Sequence, residues 1–239
     1  MYESESKSLI DSCIKKEELL KELKRWDDEV YFEYNSLFKK FKVSSTTEKG
    51  ESLEALVKFI LSKTKFFNVY GNIRTSTNEI DQLVIFKQEY KSYFEKDLKS
   101  HGFKIYQEDL GLDPDQGYFI CECKNYNKAI DVTWVGKFYS LMKALNCKIG
   151  IIFSYYGLSG KKALKDACGL TRILNIKEGM YIIDFNIDDF TEINNKNNNF
   201  IDLVIAKKNA LKFDTNYKSF FQSHPNEEIA LRDWKKELC

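Results

Sequence analysis

The segment Lys148–Tyr156, KIGIIFSYY, constrains the fold more than any other. Its mostly apolar run, centred on Ile149–Phe153, has no alternating polar face, so it reads as a strand covered on both sides. Such a strand belongs in a layered α/β domain, with helices packed on each face of a partly parallel sheet. The flanking segments supply those helices. VTWVGKFYSLMKALN (132–146) carries an amphipathic period, and SGKKALKDACG (159–169) reads as a small-residue helix closed by Gly169. MYIIDF (180–185) is then a further strand.

The N-terminal half completes the pattern. In residues 8–42, Leu19, Leu20, Leu23, Trp26, Val30, Tyr34, Leu37 and Phe41 recur every three or four positions. This stripe predicts an amphipathic helix laid on its own domain, about three heptads being short for a coiled-coil seam. VSSTTEKG (43–50) is a polar break. Leu53, Leu56, Val57, Ile60 and Leu61 then mark a second helix. FFNVYGNIR, the polar turn TSTNE and IDQLVIF predict a β-hairpin. Residues 87–101 are charged and helix-like, GLDPDQG (111–117) is a turn, and YFICECK (118–124) a short strand. TEINNKNNNF (191–200) reads as a solvated loop, and residues 200–220 as helix. The central sheet is expected to mix antiparallel and parallel pairs.

Composition narrows the class. Among 239 residues, 43% are hydrophobic and 15% aromatic, which excludes a disordered chain. Two prolines and eleven glycines exclude collagen-like and linker-rich architectures. With 37 Lys+Arg against 36 Asp+Glu the net charge is +1, a balance compatible with a local basic face. Six cysteines lack the spacing of a disulfide framework. No apolar run approaches the ~18 residues of a membrane span. MYESESKSLIDS is too acidic for a signal peptide, so a cytoplasmic protein without membrane contact is expected.

Asp81, Glu122 and Lys124 carry the chemistry. Residues two apart on a strand share a face, so Glu122 and Lys124 project together while Cys121 and Cys123 point the other way. Charges on an otherwise apolar strand are costly unless they serve a site. Asp81 begins the neighbouring strand, so pairing brings two carboxylates and an ammonium together. Paired carboxylates suit a hard cation such as Mg²⁺, and a nearby lysine orients water or offsets developing negative charge. That combination fits metal-assisted phosphodiester hydrolysis.

Asp81 followed by Glu122-Cys123-Lys124 resembles the D…(D/E)-x-K signature of the restriction-endonuclease-like nucleases, in particular the Mrr-like restriction endonucleases. Upstream, Gly50-Glu51-Ser52-Leu53-Glu54 is similar to that family's opening G-x-x-[FL]-E helix, which maps the family's metal-site glutamate onto Glu54. Downstream, GIIFSYYGLSGKKALKDA is similar to the family's strand and Ser-x-x-x-Ala-x-x-x-Ala helix, at Ser159, Ala163 and Ala167. The resemblance spans about residues 49–190. The family commonly carries Gln where Glu122 stands, and the interval from 81 to 122 is longer than a hairpin needs.

The resemblance implies a restriction-endonuclease-like α/β/α core over 49–190, with an N-terminal helical segment (1–48) and a C-terminal helical extension (191–239). It implies an endonuclease cutting DNA, expected as a duplex, with Mg²⁺ (Mn²⁺ as substitute) held by Glu54, Asp81 and Glu122, and water positioned by Lys124. Restriction of foreign or modified DNA, a homodimer and separate defence-system subunits follow from the same resemblance. Glu51 and Glu79 are rivals to Glu54 and Asp81. Lys128, Lys161, Lys162 and Lys165 are candidate phosphate contacts, or a solvated face. A non-catalytic DNA-binding scaffold of the same fold and a nuclease for RNA or branched DNA are the alternatives.

Other chemistries lack support. Cys121 and Cys123 have no second Cys or His pair for zinc, and His101 and His224 sit in no catalytic motif. GLSGKKA departs from a phosphate-binding loop because position 155 is Tyr and position 162 is Lys.

Overall fold

Five strands form one mixed sheet in the order β1-β2-β3-β4-β5 in a computed structural model of the chain. The structure describes residues 22, 24–44, 48–65, 67–74, 79–87, 117–160 and 166–222. The strands are β1 (Phe67–Arg74), β2 (Glu79–Phe86), β3 (Tyr118–Cys123), β4 (Ile149–Phe153) and β5 (Tyr181–Phe185). β1, β2 and β3 pair antiparallel; β3, β4 and β5 pair parallel. Among the described residues six α-helices surround them: α1 (Asp28–Val43), α2 (Glu48–Ser62), α3 (Val132–Ala144), α4 (Asp166–Glu178), α5 (Ile187–Asn194) and α6 (Phe200–Phe213). A 3₁₀ turn, Tyr217–Phe221, follows.

The all-apolar β4 is buried along its whole length, as its sequence requires. One face of the sheet packs Phe119, Cys121, Ile151, Phe153, Ile183 and Phe185 against α1, α2, α5 and α6. The other packs Ile120, Ile152 and Ile182 against α3 and α4. Gly150 lets α3 approach: a Cβ there would meet the Phe138 ring at 2.5 Å and Met142 Sδ at 2.7 Å.

The helix α1 buries Tyr34, Phe38 and Phe41 in the first of these cores, and the Tyr34 hydroxyl donates to the Phe190 carbonyl at 2.8 Å. It is thus laid on its own domain, but it begins later than the apolar period suggests. Asp27 caps it, accepting from the Val30 N–H at 2.9 Å, and Arg25–Asp27 are non-helical. Residues 1–21 and 23 lie outside the described residues, with Leu19, Leu20 and Leu23 among them.

Four further expectations are corrected. The second helix begins at Glu48 and runs through Gly50. The helix after β4 passes through Gly169, which is buried within α4, and ends before Gly179, whose φ of +63° is the left-handed value that closes a helix. The Asn-rich segment is helical as far as Asn194, because Asn186 and Asp189 form a capping box that starts α5. Residues 200–220 are α-helical only to Phe213, after which Asp214 turns left-handed and Tyr217–Phe221 forms the 3₁₀ turn. The charged segment after β2 and the GLDPDQG turn up to Gln116 lie outside the described residues.

Among the described residues no helix is long and apolar enough to cross a membrane.

Candidate active site

β2 and β3 pair with Gln82 opposite Cys121, so continuing the register by one residue sets Asp81 across from Glu122. The period of two then places Asp81, Glu122 and Lys124 on one face and Cys121 and Cys123, both buried, on the other. Asp81 also ties the strand ends together: its Oδ2 accepts the Cys123 backbone N–H at 2.8 Å. Lys124 continues past β3, its N–H donating to the Phe153 carbonyl of β4 at 2.8 Å.

The three side chains meet. Lys124 Nζ is 2.6 Å from Glu122 Oε1 and 4.0 Å from Asp81 Oδ2. Their side chains are 23%, 15% and 17% exposed, so the cluster is largely withdrawn from water yet open at one edge. Trp134 of α3 covers the lysine, with Lys124 Nζ 5.2 Å from its ring centroid.

The electrostatics show an excess of negative charge. Burial, and then the neighbouring Asp81, push the Glu122 carboxyl above its ordinary range despite the hydrogen bond from Lys124. Burial and Asp81 raise Glu54 in the same way, with Lys124 opposing. Glu54, on α2, therefore shares the field of the cluster. Burial works against the Lys124 ammonium, but Glu122 and then Asp81 outweigh it and hold its pKa above the ordinary value. Lys124 stays protonated at neutral pH and so donates hydrogen bonds instead of accepting a proton.

The rivals sit differently. Glu51 is exposed on α2. Glu79 is exposed at the start of β2, with its carboxylate 3.9 Å from Arg74. Lys128 lies in the loop after β3 beside Asp131, at 3.9 Å, and is exposed. Lys161, Lys162 and Lys165 lie outside the described residues.

The donor set suits a hard divalent cation. Glu54 and Glu122, both raised by burial and by Asp81, with one ammonium to offset them, are relieved by added positive charge. Among the described residues no three His, Cys, Asp or Glu side chains form a group able to hold a metal ion. Asp81 and Glu122, facing each other across two strands, could supply two carboxylates to a cation that retains several waters, as Mg²⁺ does.

Sequence reasoning missed Trp134, Lys49 and Tyr155. Asn125 Nδ2 donates to the Lys49 carbonyl at 2.8 Å, fixing the loop after β3 to the start of α2. Lys49 Nζ in turn lies 5.6 Å from the Tyr155 ring. Neither contact has a sequence signal, because both depend on how the helices cross the sheet.

Compared with protein-family models, with curated proteins and with solved structures, the chain finds no match in any of the three.

Proposed function

We propose that the chain is a metal-dependent nuclease of restriction-endonuclease-like fold, hydrolysing phosphodiester bonds in DNA. One observation carries the reading: a protonated lysine lies against Glu122 and near Asp81, whose strands face these carboxylates toward one another. The order of strands and helices and the resemblance to Mrr-like enzymes support it, as does the sharing of this field by Glu54.

In this reading Asp81 and Glu122 hold Mg²⁺ or Mn²⁺, with Glu54 adding charge from α2. The cation, when bound, supplies Lewis-acid polarisation of the phosphoryl oxygen and lowers the pKa of water. Lys124 donates hydrogen bonds to the attacking water or to the phosphoryl oxygens, whose negative charge grows toward the transition state. The attacking water releases a proton to solvent as its oxygen bonds to phosphorus, the ester P–O bond breaks, and the leaving oxygen takes up a proton from solvent. Asp81 further fixes the end of β3 through the Cys123 N–H, so that Glu122 and Lys124 keep their relative placement. A role in restricting foreign or modified DNA, together with a homodimer for double-strand cuts, extends the same reading.

Plasmid cleavage by wild type and Lys124→Ala, with Mg²⁺ and with EDTA, tests it. The expected result is nicking or linearisation by wild type alone, abolished by EDTA. A folded wild type that binds DNA and cuts no nucleic acid in Mg²⁺ or Mn²⁺ favours the non-catalytic scaffold instead.

A further inference from the structure

Two aromatic pairs, one in the loop after β3 and one after β4, each present a ring to solvent. On one side Tyr126, 36% exposed, packs on Trp134 with centroids 5.6 Å apart. Trp134 is the residue that covers Lys124, at 5.2 Å. On the other side Tyr156, 50% exposed, packs on Tyr155 at 4.8 Å. Tyr155 is braced from below by Phe41 at 5.5 Å and approached by Lys49 Nζ at 5.6 Å. The hydrogen bond from Asn125 to the Lys49 carbonyl links the two sides.

Each exposed ring is thus held in place by a second ring behind it, next to ammonium groups. Lys137 Nζ lies 4.4 Å from the Trp134 ring centroid, and Lys128 is exposed in the same loop. A solvent-facing tyrosine gains nothing from water for its ring face, so braced exposed rings beside a charged side-chain cluster suit a flat partner. Lys49, Lys128 and Lys137 beside the rings supply positive charge for a phosphate, set against the carboxylates of the neighbouring site. A duplex keeps its base faces stacked on each other, so only unpaired nucleotides present a π-face and a phosphate together.

We infer that Tyr126 and Tyr156 form a stacking platform for unpaired nucleotides next to the bond presented to Lys124. This rests on the nuclease reading only for the statement that the platform serves a scissile bond; the stacking itself does not depend on it. The substrate class is then single-stranded nucleic acid, or a duplex that exposes unpaired nucleotides at the site. Base stacking on one ring contributes about 1–3 kcal/mol, equivalent to roughly 5- to 150-fold in affinity.

The experiment uses the full chain carrying Asp81→Asn, which stops hydrolysis and removes a phosphate-repelling charge. Fluorescence anisotropy compares a labelled 30-nucleotide DNA single strand, its RNA counterpart and the blunt DNA duplex, in Mg²⁺ and at fixed salt. The expected result is at least tenfold tighter binding of a single strand than of duplex. That preference falls at least fivefold with Tyr126→Ala or Tyr156→Ala and is retained with Tyr→Phe at either position. Both rings are exposed, so the variants keep the circular-dichroism spectrum of the parent. The DNA and RNA arms identify which sugar the platform accepts.

Duplex bound as tightly as single strand, or Ala variants that bind like the parent, overturns the inference. Strand binding that depends on the rings, with no cleavage by wild type, upholds the platform while sinking the nuclease reading. Duplex cleavage indifferent to both rings does the opposite.

Discussion

Asp81 Oδ2 accepts the backbone N–H of Cys123 at 2.8 Å, so one carboxylate both joins β2 to β3 and faces the site. Its two roles separate by substitution. Asp81→Ala leaves a part-buried N–H without its acceptor and costs about 1–2 kcal/mol, read as a lower urea midpoint. Asp81→Asn retains an oxygen for that N–H and stays within about 0.5 kcal/mol of wild type. Both variants are expected to lose metal-dependent cleavage, since an amide is a poor ligand for a hard cation. An Asn variant as unstable as the Ala variant removes the structural half of this account.

The raised carboxyls at Glu54 and Glu122 make stability depend on pH in a particular direction. Each holds its proton to higher pH in the folded protein than at its ordinary value of 4.5. Folded molecules therefore bind more protons than unfolded ones in the window just above 4.5, and stability falls as pH rises through it. Glu54→Gln removes one such group, flattening this limb and raising the melting temperature at neutral pH in EDTA. Adding millimolar Mg²⁺ should raise the melting temperature of wild type more than that of Glu122→Gln, because a ligand stabilises only the state that binds it. Thermal shift across pH 4 to 8, with and without Mg²⁺, measures both effects.

The features legible in the sequence were those set by strand period and chain adjacency. Asp81, Glu122 and Lys124 came from two facts: residues two apart share a face, and strands consecutive in the chain usually pair, here even across the long interval from Phe86 to Tyr118. The buried β4 and the mixed sheet followed from an apolar run between helical patterns. Features governed by tertiary packing were not legible. The apolar period runs straight through Trp26, so nothing in it marks the break that Asp27 imposes by capping α1. Gly169 and Gly179 look alike as helix terminators; burial of the first inside α4 and the left-handed φ of the second decide between them. Trp134 meets Lys124 only because α3 crosses the sheet at that strand end, a placement no local pattern encodes.

Gly150 is a position where packing leaves no room for a side chain. An added Cβ would lie 2.5 Å from Phe138 Cε1 and 2.7 Å from Met142 Sδ, both buried on α3. Gly150→Ala is expected to destabilise by about 1–3 kcal/mol, since the ring and thioether must shift within a filled core. Phe138→Leu in the same chain makes space and should recover part of the loss. A double-mutant cycle by urea denaturation reads the coupling; strict additivity would mean that the strain lies elsewhere.

Lys207 and Asp189 form the most deeply buried ion pair among the described residues, 2.6 Å apart with side chains 10% and 0% exposed. Lys207 also donates to the Asp184 carbonyl at 2.8 Å and lies 4.6 Å from the Tyr217 ring. Asp189 meanwhile accepts the Asn186 N–H at 2.8 Å, closing the box that starts α5. The pair thus pins α6 to the β5–α5 junction. Burial raises the Asp189 carboxyl even with Lys207 beside it, so without the ammonium the charge stands exposed to a low dielectric. Lys207→Met is expected to cost about 3–5 kcal/mol at neutral pH and to recover in part toward acid, where Asp189 takes up a proton. Adding Asp189→Asn, which keeps the cap acceptor but removes the charge, should restore a substantial part of that loss. A double variant as unstable as the sum of the singles would show that Lys207 contributes through packing on Tyr217, not through its charge.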